Sequence, residues 1–414
     1  MPEVRQVIAR TGAPDTLVLA TRYGGHYITH DGGATWFNVC HEALGSDDSE
    51  TYGGLFSRDG TFIASTGFRG IASSVDGCVW TDWSPPQQSF ITDVAIIGDS
   101  DILALDRDVP HRVWSSTVDG KSFLPYGTAL PEDVDVSTIG ASTDGWHVYI
   151  GASGPSGFEL IHSADAAESW ERLPLPAEGQ TEVDVIGILR DSPESVVIRL
   201  QGVTRTVLVM SRDAGKTWAT LFETDRALPA ATLNADGTLF FGGPDLGVFA
   251  GSVLDATMTP AFEHVSDMPT LGLTYADGRL FSVASQLTSG YSVALSQDGG
   301  TTFAPFFDVC NAPVSASCAA ESTVAMACSK GIETSAWQPL GNACLTGTGE
   351  PDAPLPPPTD DGSGTVDTPA AHNACGIVRT ATPAGSGAPL VVSVLVLAAA
   401  GLRRRAPGDA AGSR

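Results

Sequence analysis

Six segments of this 414-residue chain spell one plan, Ser/Thr-x-Asp-x-Gly-x-Ser/Thr-aromatic, and that recurrence limits the possible folds more than any other feature. Four copies are full length: THDGGATW at 29–36, SADAAESW at 163–170, SRDAGKTW at 211–218 and SQDGGTTF at 296–303, with Ala167 in the glycine place of the second. Two are shorter, SVDGCVW at 74–80 and TVDGKSF at 117–123. Their acids, Asp31, Asp76, Asp119, Asp165, Asp213 and Asp298, stand 45, 43, 46, 48 and 85 residues apart, so the last gap holds two periods, with a worn copy near Asp255. A period of this length is one supersecondary unit that cannot bury its own faces and has to stack on copies of itself.

Each period carries the punctuation of short strands. TLVLAT, HYIT, RLFSVAS and YSVALS are apolar or β-branched runs, and they are bounded by turn clusters such as GAPD, NADG and ADG. Four such runs per period read as a small antiparallel sheet, and radial stacking of such sheets leaves only short edges exposed. The sequence therefore predicts an all-β chain, a seven- or eight-bladed β-propeller of four-stranded antiparallel blades over residues 1–345. Units are expected to begin near Val4, Thr51, Phe90, Val134, Val183, Leu228, Leu271 and Val314. The eighth unit is short, and completion by residues near the N-terminus is expected.

Charge narrows the partners. With 22 basic against 48 acidic residues the formal net charge is −26, which repels a phosphate backbone and excludes nucleic acid as a partner. The three lysines, Lys121, Lys216 and Lys330, leave little for Schiff-base or phosphate chemistry.

Four of the seven cysteines crowd into residues 310–344, without C-x-x-C knuckles and without histidine among them, so disulfides in an oxidising compartment are expected rather than a metal. The expected pairs are Cys40 with Cys78, Cys318 with Cys328 across an apparent hairpin, and Cys310 with Cys344. No cofactor or metal site is expected: the histidines, His26, His30, His41, His111, His147 and His162 among them, lack i, i+4 metal spacing. The loop GASGPSG lacks the strand-turn-helix setting of a nucleophile elbow, and the acidic GSDDSE reads as a solvated loop.

The pattern stops after Cys344. Residues 346–374, rich in Pro, Gly and Asp, cannot bury enough apolar surface to order themselves and read as a disordered stalk. Residues 375–414 read as an anchor tail, with an apolar helix over 388–402 followed by Arg403, Arg404 and Arg405. An anchored chain with disulfides implies export, and an export signal is expected upstream of Met1.

The repeated acid poses the question of chemistry. A carboxylate in an eight-residue loop can accept the N–H groups that follow, a Ser or Thr hydroxyl can close the adjacent turn, and glycine supplies a positive φ. The closing ring of Trp36, Trp170, Trp218 or Phe303 is then free to drop between blades. A group that recurs at every blade is expected to rivet the fold, so no catalytic residue is assigned among Asp31, Asp76, Asp119, Asp165, Asp213 and Asp298; Gly215 and Gly300 serve the same turns.

On these segments the chain resembles the Asp-box, or BNR, repeats of sialidases, sortilin-type receptors, two-propeller xyloglucanases and the photosystem II assembly factor. The resemblance covers about residues 4–340 and implies a propeller with its boxes between third and fourth strands, on the rim away from the ligand. It does not extend to sialidase chemistry, which would require an arginine triad, a tyrosine nucleophile and a Phe/Tyr-Arg-Ile-Pro motif; RVW at 112–114 and VIRL at 197–200 do not supply it. The tail resembles myxobacterial sorting signals, in which a cysteine, by analogy Cys375, precedes a short apolar helix and an arginine cluster.

The expected ligand face lies opposite the boxes and comprises Arg22, Tyr23, Phe68, Arg69, Arg107, His111, Arg112, Phe158 and Arg205. Arginine beside aromatic side chains suits a polar or anionic ligand. The expectation is thus a monomeric, surface-anchored propeller that binds a protein or glycan ligand, with a divergent sialidase-like glycoside hydrolase as the alternative.

Overall fold

The structure, a computed structural model, describes residues 3–22, 25–44, 53–66, 70–83, 89–98, 101–116, 122–176, 179–254, 261–310 and 318–331. Its strands form seven sheets of four consecutive antiparallel strands each. Blade 1 holds β1 (Glu3–Ala9), β2 (Leu17–Arg22), β3 (His26–Thr29) and β4 (Phe37–Val39). Later blades begin at β5 (Gly53–Phe56), β9 (Ile91–Ile97), β13 (Asp135–Ala141), β17 (Gln180–Leu189), β21 (Ala230–Leu233) and β25 (Gly272–Ala276), and the seventh ends at β28 (Ala304–Phe307). Each first strand packs on the first strand of the next blade, and β25 packs on β1, so the seven inner strands close a ring.

The sides of the ring are held by packing. Seven clusters of buried apolar side chains occupy the seven interfaces between blades, for example Leu103, Val136 and Ile150 between blades 3 and 4, or Tyr149, Val183 and Ile198 between blades 4 and 5. The last cluster joins Val7, Leu19 and Tyr27 of blade 1 to Phe281, Val293 and Phe307 of blade 7. Among the described residues closure thus rests on side chains rather than on an exchanged strand. The expected eighth blade is not present among the described residues: blade 1 draws its four strands from residues 3–39, and Thr323–Gly331 form a helix. The reason is local, since CAAESTVAMACSKG is rich in helix-forming Ala and poor in β-branched residues.

That helix lies against blades 1 and 2. Val324 joins their shared core beside Phe37 and Trp80. The Thr323 hydroxyl donates to the Cys78 carbonyl at 3.0 Å and accepts the Trp80 N–H at 3.0 Å. Two disulfides fix it, Cys40–Cys328 and Cys78–Cys318. Both differ from the expected Cys40–Cys78 and Cys318–Cys328 pairs: short sequence spacing favours local bridges, whereas the segment 318–331 returns across the ring to blades 240 and 288 residues away in sequence. Cys310 is also disulfide-bonded, and its expected partner Cys344 lies outside the described residues, as do Asp119 and Cys375.

The boxes form the turns between third and fourth strands. At Asp31 the Thr35 N–H and the Thr29 hydroxyl donate to Oδ1 at 2.9 and 2.7 Å, and the Thr35 hydroxyl donates to Oδ2 at 2.6 Å. Asp165 (with Ser163 and Ser169), Asp213 (with Ser211 and Thr217) and Asp298 (with Ser296 and Thr302) repeat the pattern. Asp76, in a shorter turn, accepts from the Cys78 and Val79 N–H groups at 2.8 and 3.0 Å. The closing rings pack on the preceding blade: Trp36 meets Phe306 and Phe307 of blade 7 edge-on. Trp170 and Trp218 lie against the cores of the 3/4 and 4/5 interfaces and donate Nε1–H to the Thr128 and Pro174 carbonyls, and Phe303 packs at the 6/7 interface.

Gly215 shows why its place needs glycine. Its φ is +88°, and a Cβ there would lie 2.3 Å from the Leu173 side chain of blade 4. Blade 4 carries Ala167 (φ +67°) in that place, after Ala166 (φ +58°). The preceding blade yields instead through Gly127, just past its last strand, where a Cβ would sit 2.0 Å from the Ala167 carbonyl oxygen. Ala166 keeps a left-handed backbone without glycine, so Ala166→Gly is expected to raise stability by about 1 kcal/mol, read as a later urea midpoint with an unchanged slope.

Candidate functional site

Strand direction gives the ring two unlike ends. One carries the boxes and the turns between first and second strands; the other carries the connections between second and third strands and between blades. The chemistry of the carboxylates divides the same way. Hydrogen bonds from Thr35, then from Thr29, hold Asp31 down at about 2, and Thr302 and Ser296 do the same for Asp298, also to about 2. The Ser169 and Thr217 donors likewise lower Asp165 and Asp213. Such groups stay ionised at neutral pH and cannot serve as general acids.

At the opposite end the shifts reverse. Asp93, near the start of β9, is pushed up to about 7 by burial among the inner strands, with the charge of Asp184 adding to it. It ties blade 3 to blade 4, accepting the Ile139 N–H at 3.0 Å and the Val94 N–H at 2.8 Å. Glu182, near the start of β17, is also raised, by burial and then by the neighbouring charge of Asp184. Asp184 accepts both Nε–H and Nη2–H of buried Arg199 at 2.9 and 2.6 Å, and Arg199 also donates to the Leu228 carbonyl at 2.9 Å. Three acids from two inner strands thus gather near one mouth of the ring with one arginine already engaged. Their signal in sequence is charge inside otherwise apolar strands, ITDVAII and TEVDVIGIL, which the search for motif spacing passes over.

The residues expected to bind a ligand meet different fates. Arg107 forms a bidentate pair with Asp135 (Nε 2.7 Å, Nη2 3.0 Å) and lies over the Phe90 ring at 5.3 Å. Arg205 donates to Glu223 at 2.8 Å. His111 is buried, Arg22 and Arg112 are half-buried at strand ends, and Phe158 is exposed at the start of β15 (Gly157–Ser163). Tyr23, Phe68 and Arg69 lie outside the described residues. Two of the four described arginines of this face, Arg107 and Arg205, are therefore held by the chain's own carboxylates, and the expected fork for an anionic ligand does not assemble from them. The reason is the excess of acid: on a chain of net charge −26, Arg107 and Arg205 each find a carboxylate of the chain itself.

A second polar cluster lies toward the box end of blade 4. His147 Nδ1 is 3.0 Å from His162 Nε2, His162 Nδ1 is 2.9 Å from Glu171, and Tyr149 stacks on His162 at 4.5 Å. Burial lowers His162 against the opposing pull of Glu171. The histidines, remote in sequence, meet because their hairpin pairs Tyr149 with His162. Among the described residues no group of His, Cys, Asp or Glu could hold a metal ion. One cavity of about 440 Å³ opens at the box end between His30, Phe37, Asp76 and Val79 of blades 1 and 2 and Ala319 and Glu321 of the returning segment.

No family model and no curated protein matches the chain. Solved structures match it by fold. An ancestral GH74 enzyme superposes with a TM-score of 0.57 at 14% identity, over 73% of this chain and 46% of that one. The extracellular domain of BT4673 from B. thetaiotaomicron superposes with a TM-score of 0.50 at 15% identity, over 71% of this chain and 38% of that one. The chain spans less than half the length of either, and at such identity the likeness shows the fold alone, a β-propeller.

Proposed function

We propose that this chain is an extracytoplasmic binding or scaffold propeller, anchored through its C-terminal tail, whose Asp-box acids serve the fold and whose partner docks on the end of the ring opposite them. The observation that carries this reading is the division of the carboxylates. The box acids are saturated by donors of their own turns and held ionised, while the raised acids stand at the other mouth. The disulfides support an oxidising compartment. The run over 388–402 with its three arginines supports the anchor; among the described residues no helix is long and apolar enough to cross a membrane.

The test is a glycan and cell-surface protein array probed with the full chain and two variants. Asp213→Ala is expected to lower stability by about 1 kcal/mol, from the lost turn hydrogen bonds to its carboxylate, and to leave the bound spots unchanged at a temperature where it is folded. Val203→Ser with Leu287→Ser, exposed on the other end, is expected to erase them. Spots lost in Asp213→Ala and kept in the double variant would contradict the reading.

A second reading has one observation in its favour. A glycosidase needs one carboxyl held protonated near neutrality, and Asp93 and Glu182 are raised. Turnover of any fluorogenic glycoside that vanishes in Asp93→Asn or Glu182→Gln would favour that alternative.

A further inference from the structure

The box of blade 2 departs from its relatives at one atom. In the full boxes the residue four places after the acid is Thr35, Ser169, Thr217 or Thr302, and its hydroxyl donates to the second carboxylate oxygen, Oδ2, at 2.6 or 2.7 Å. Blade 2 spells SVDGCVW, one residue shorter, so Trp80 stands four places after Asp76. Its indole N–H donates to the Gly77 carbonyl at 2.8 Å instead. The donors that reach Asp76, the Ser74 hydroxyl and the Cys78 and Val79 N–H groups, all go to Oδ1, at 3.3, 2.8 and 3.0 Å. Asp76 thus holds its turn with one oxygen, and among the described residues Oδ2 has no donor.

The same short turn borders the cavity of about 440 Å³ between blades 1 and 2 and the returning segment. Buried Phe37, half-buried Cys78 and exposed Val79 and Ala319 give its wall apolar surface. Glu321, an exposed carboxylate with no hydrogen-bond or ion-pair partner among the described residues, stands there with Asp76, and no Lys or Arg lines the space. The helix that begins beside it does not turn the site toward anions: its Val324 and Ala325 N–H groups are engaged by the Cys78 carbonyl and the Ser322 hydroxyl at 3.3 and 3.0 Å. What the cavity has to spare is carboxylate oxygen beside apolar surface, in a volume typical of small-molecule sites. A hard cation such as calcium takes six or more oxygens, which so apolar a wall does not supply. An ammonium group on an apolar body uses both kinds of surface.

We propose that this cavity binds a small organic amine, its ammonium donating to Asp76 Oδ2 and to Glu321 and its apolar body lying against Phe37, Val79 and Ala319. The site lies at the box end, apart from the docking end proposed above, and does not depend on it. Asp76 serves the fold through Oδ1 and the ligand through Oδ2.

The full chain is titrated by saturation-transfer NMR, at roughly 0.15 M salt, with 2-phenylethylamine, its uncharged analogue 2-phenylethanol and the anion 3-phenylpropionate. The amine is expected to bind with a dissociation constant on the order of 1 mM or below, and the other two roughly tenfold more weakly or less still. Glu321→Gln and Asp76→Asn are each expected to weaken the amine roughly tenfold. The first leaves the turn untouched, and in the second the amide oxygen can still accept the turn N–H groups. Ala319→Phe, which fills the cavity without changing its charge, is expected to abolish binding. Asp191→Asn with Glu168→Gln, exposed acids elsewhere at the box end, is expected to change it less than about twofold. Equal binding of amine and alcohol, or equal loss in the control pair, overturns the proposal by removing the two carboxylates from recognition. Absence of amine binding, or binding that survives Ala319→Phe, overturns the cavity as its site. Array spots are expected to survive Ala319→Phe; their loss there assigns the cavity to a lysine side chain of the docked partner and overturns the small ligand. Circular dichroism melts of each variant separate these outcomes from unfolding.

Discussion

Replacing Cys78 and Cys40 together with serine is expected to cost the propeller several kcal/mol. Each bridge closes a loop of more than two hundred residues, because the sequence separations are 240 and 288, and cross-links over long loops remove the most freedom from the unfolded chain, on the order of 2–5 kcal/mol each. The location adds to the effect. Among the described residues no exchanged strand latches the ring, and its closure depends on apolar packing between blades 7 and 1. The returning segment adds a second route from blade 7 back to blades 1 and 2, covalent at two points and seated through Val324 in their core. The double variant, or the native chain in reductant, is expected to show an earlier urea midpoint and early proteolysis within 318–331. An unchanged midpoint would mean that the segment is ornamental to the ring.

Acid is the second large lever, and His26 carries it. The imidazole is fully buried between Phe62 and Trp80, and neither ring nitrogen has a hydrogen-bond partner. Burial lowers it from 6.5 to about 4. In the unfolded chain the ring takes up a proton as the pH falls through 6.5; in the folded chain it resists until about 4. The lowered folded value means that the contribution is complete above 6.5 and is lost progressively between 6.5 and about 4, to a total of about 3 kcal/mol. His26→Leu removes the titrating group and an unpartnered polar ring. Its stability is expected to match or exceed the native chain's at pH 7, with a flatter decline toward pH 4. Parallel acid profiles for the two proteins would exclude His26 as the source. Asp93 acts with the opposite sign: its raised value favours the folded state at low pH and loses that contribution as the pH climbs toward 7.

The parts of this molecule written in local sequence were legible. Unit starts expected near Val4, Thr51, Phe90, Val134, Val183, Leu228 and Leu271 fall within three residues of the observed first strands, because turn residues and apolar runs act over a few positions. The box segments fall between third and fourth strands for the same reason. What failed depended on distance. Cys318 and Cys328 look like a hairpin pair by spacing, yet one reaches the box turn of blade 2 and the other the end of blade 1. Arg107 and Arg205 read as ligand forks until Asp135 and Glu223 came alongside them. Asp93 and Glu182 lacked any motif, since an acid in an inner strand acquires its character only when seven strands close around it. His147 and His162 were written as scattered, and the register of a single hairpin joined them.

The division of labour between the two ends of the ring is the claim on which the functional account stands. Hydrogen–deuterium exchange of the full chain, alone and with a partner selected on the array, tests it most directly. Slower exchange is predicted in the connections at 107–111, 155–158, 203–205 and 285–291, with the boxes at 29–36, 163–170, 211–218 and 296–303 unchanged. Protection confined to the boxes would contradict it.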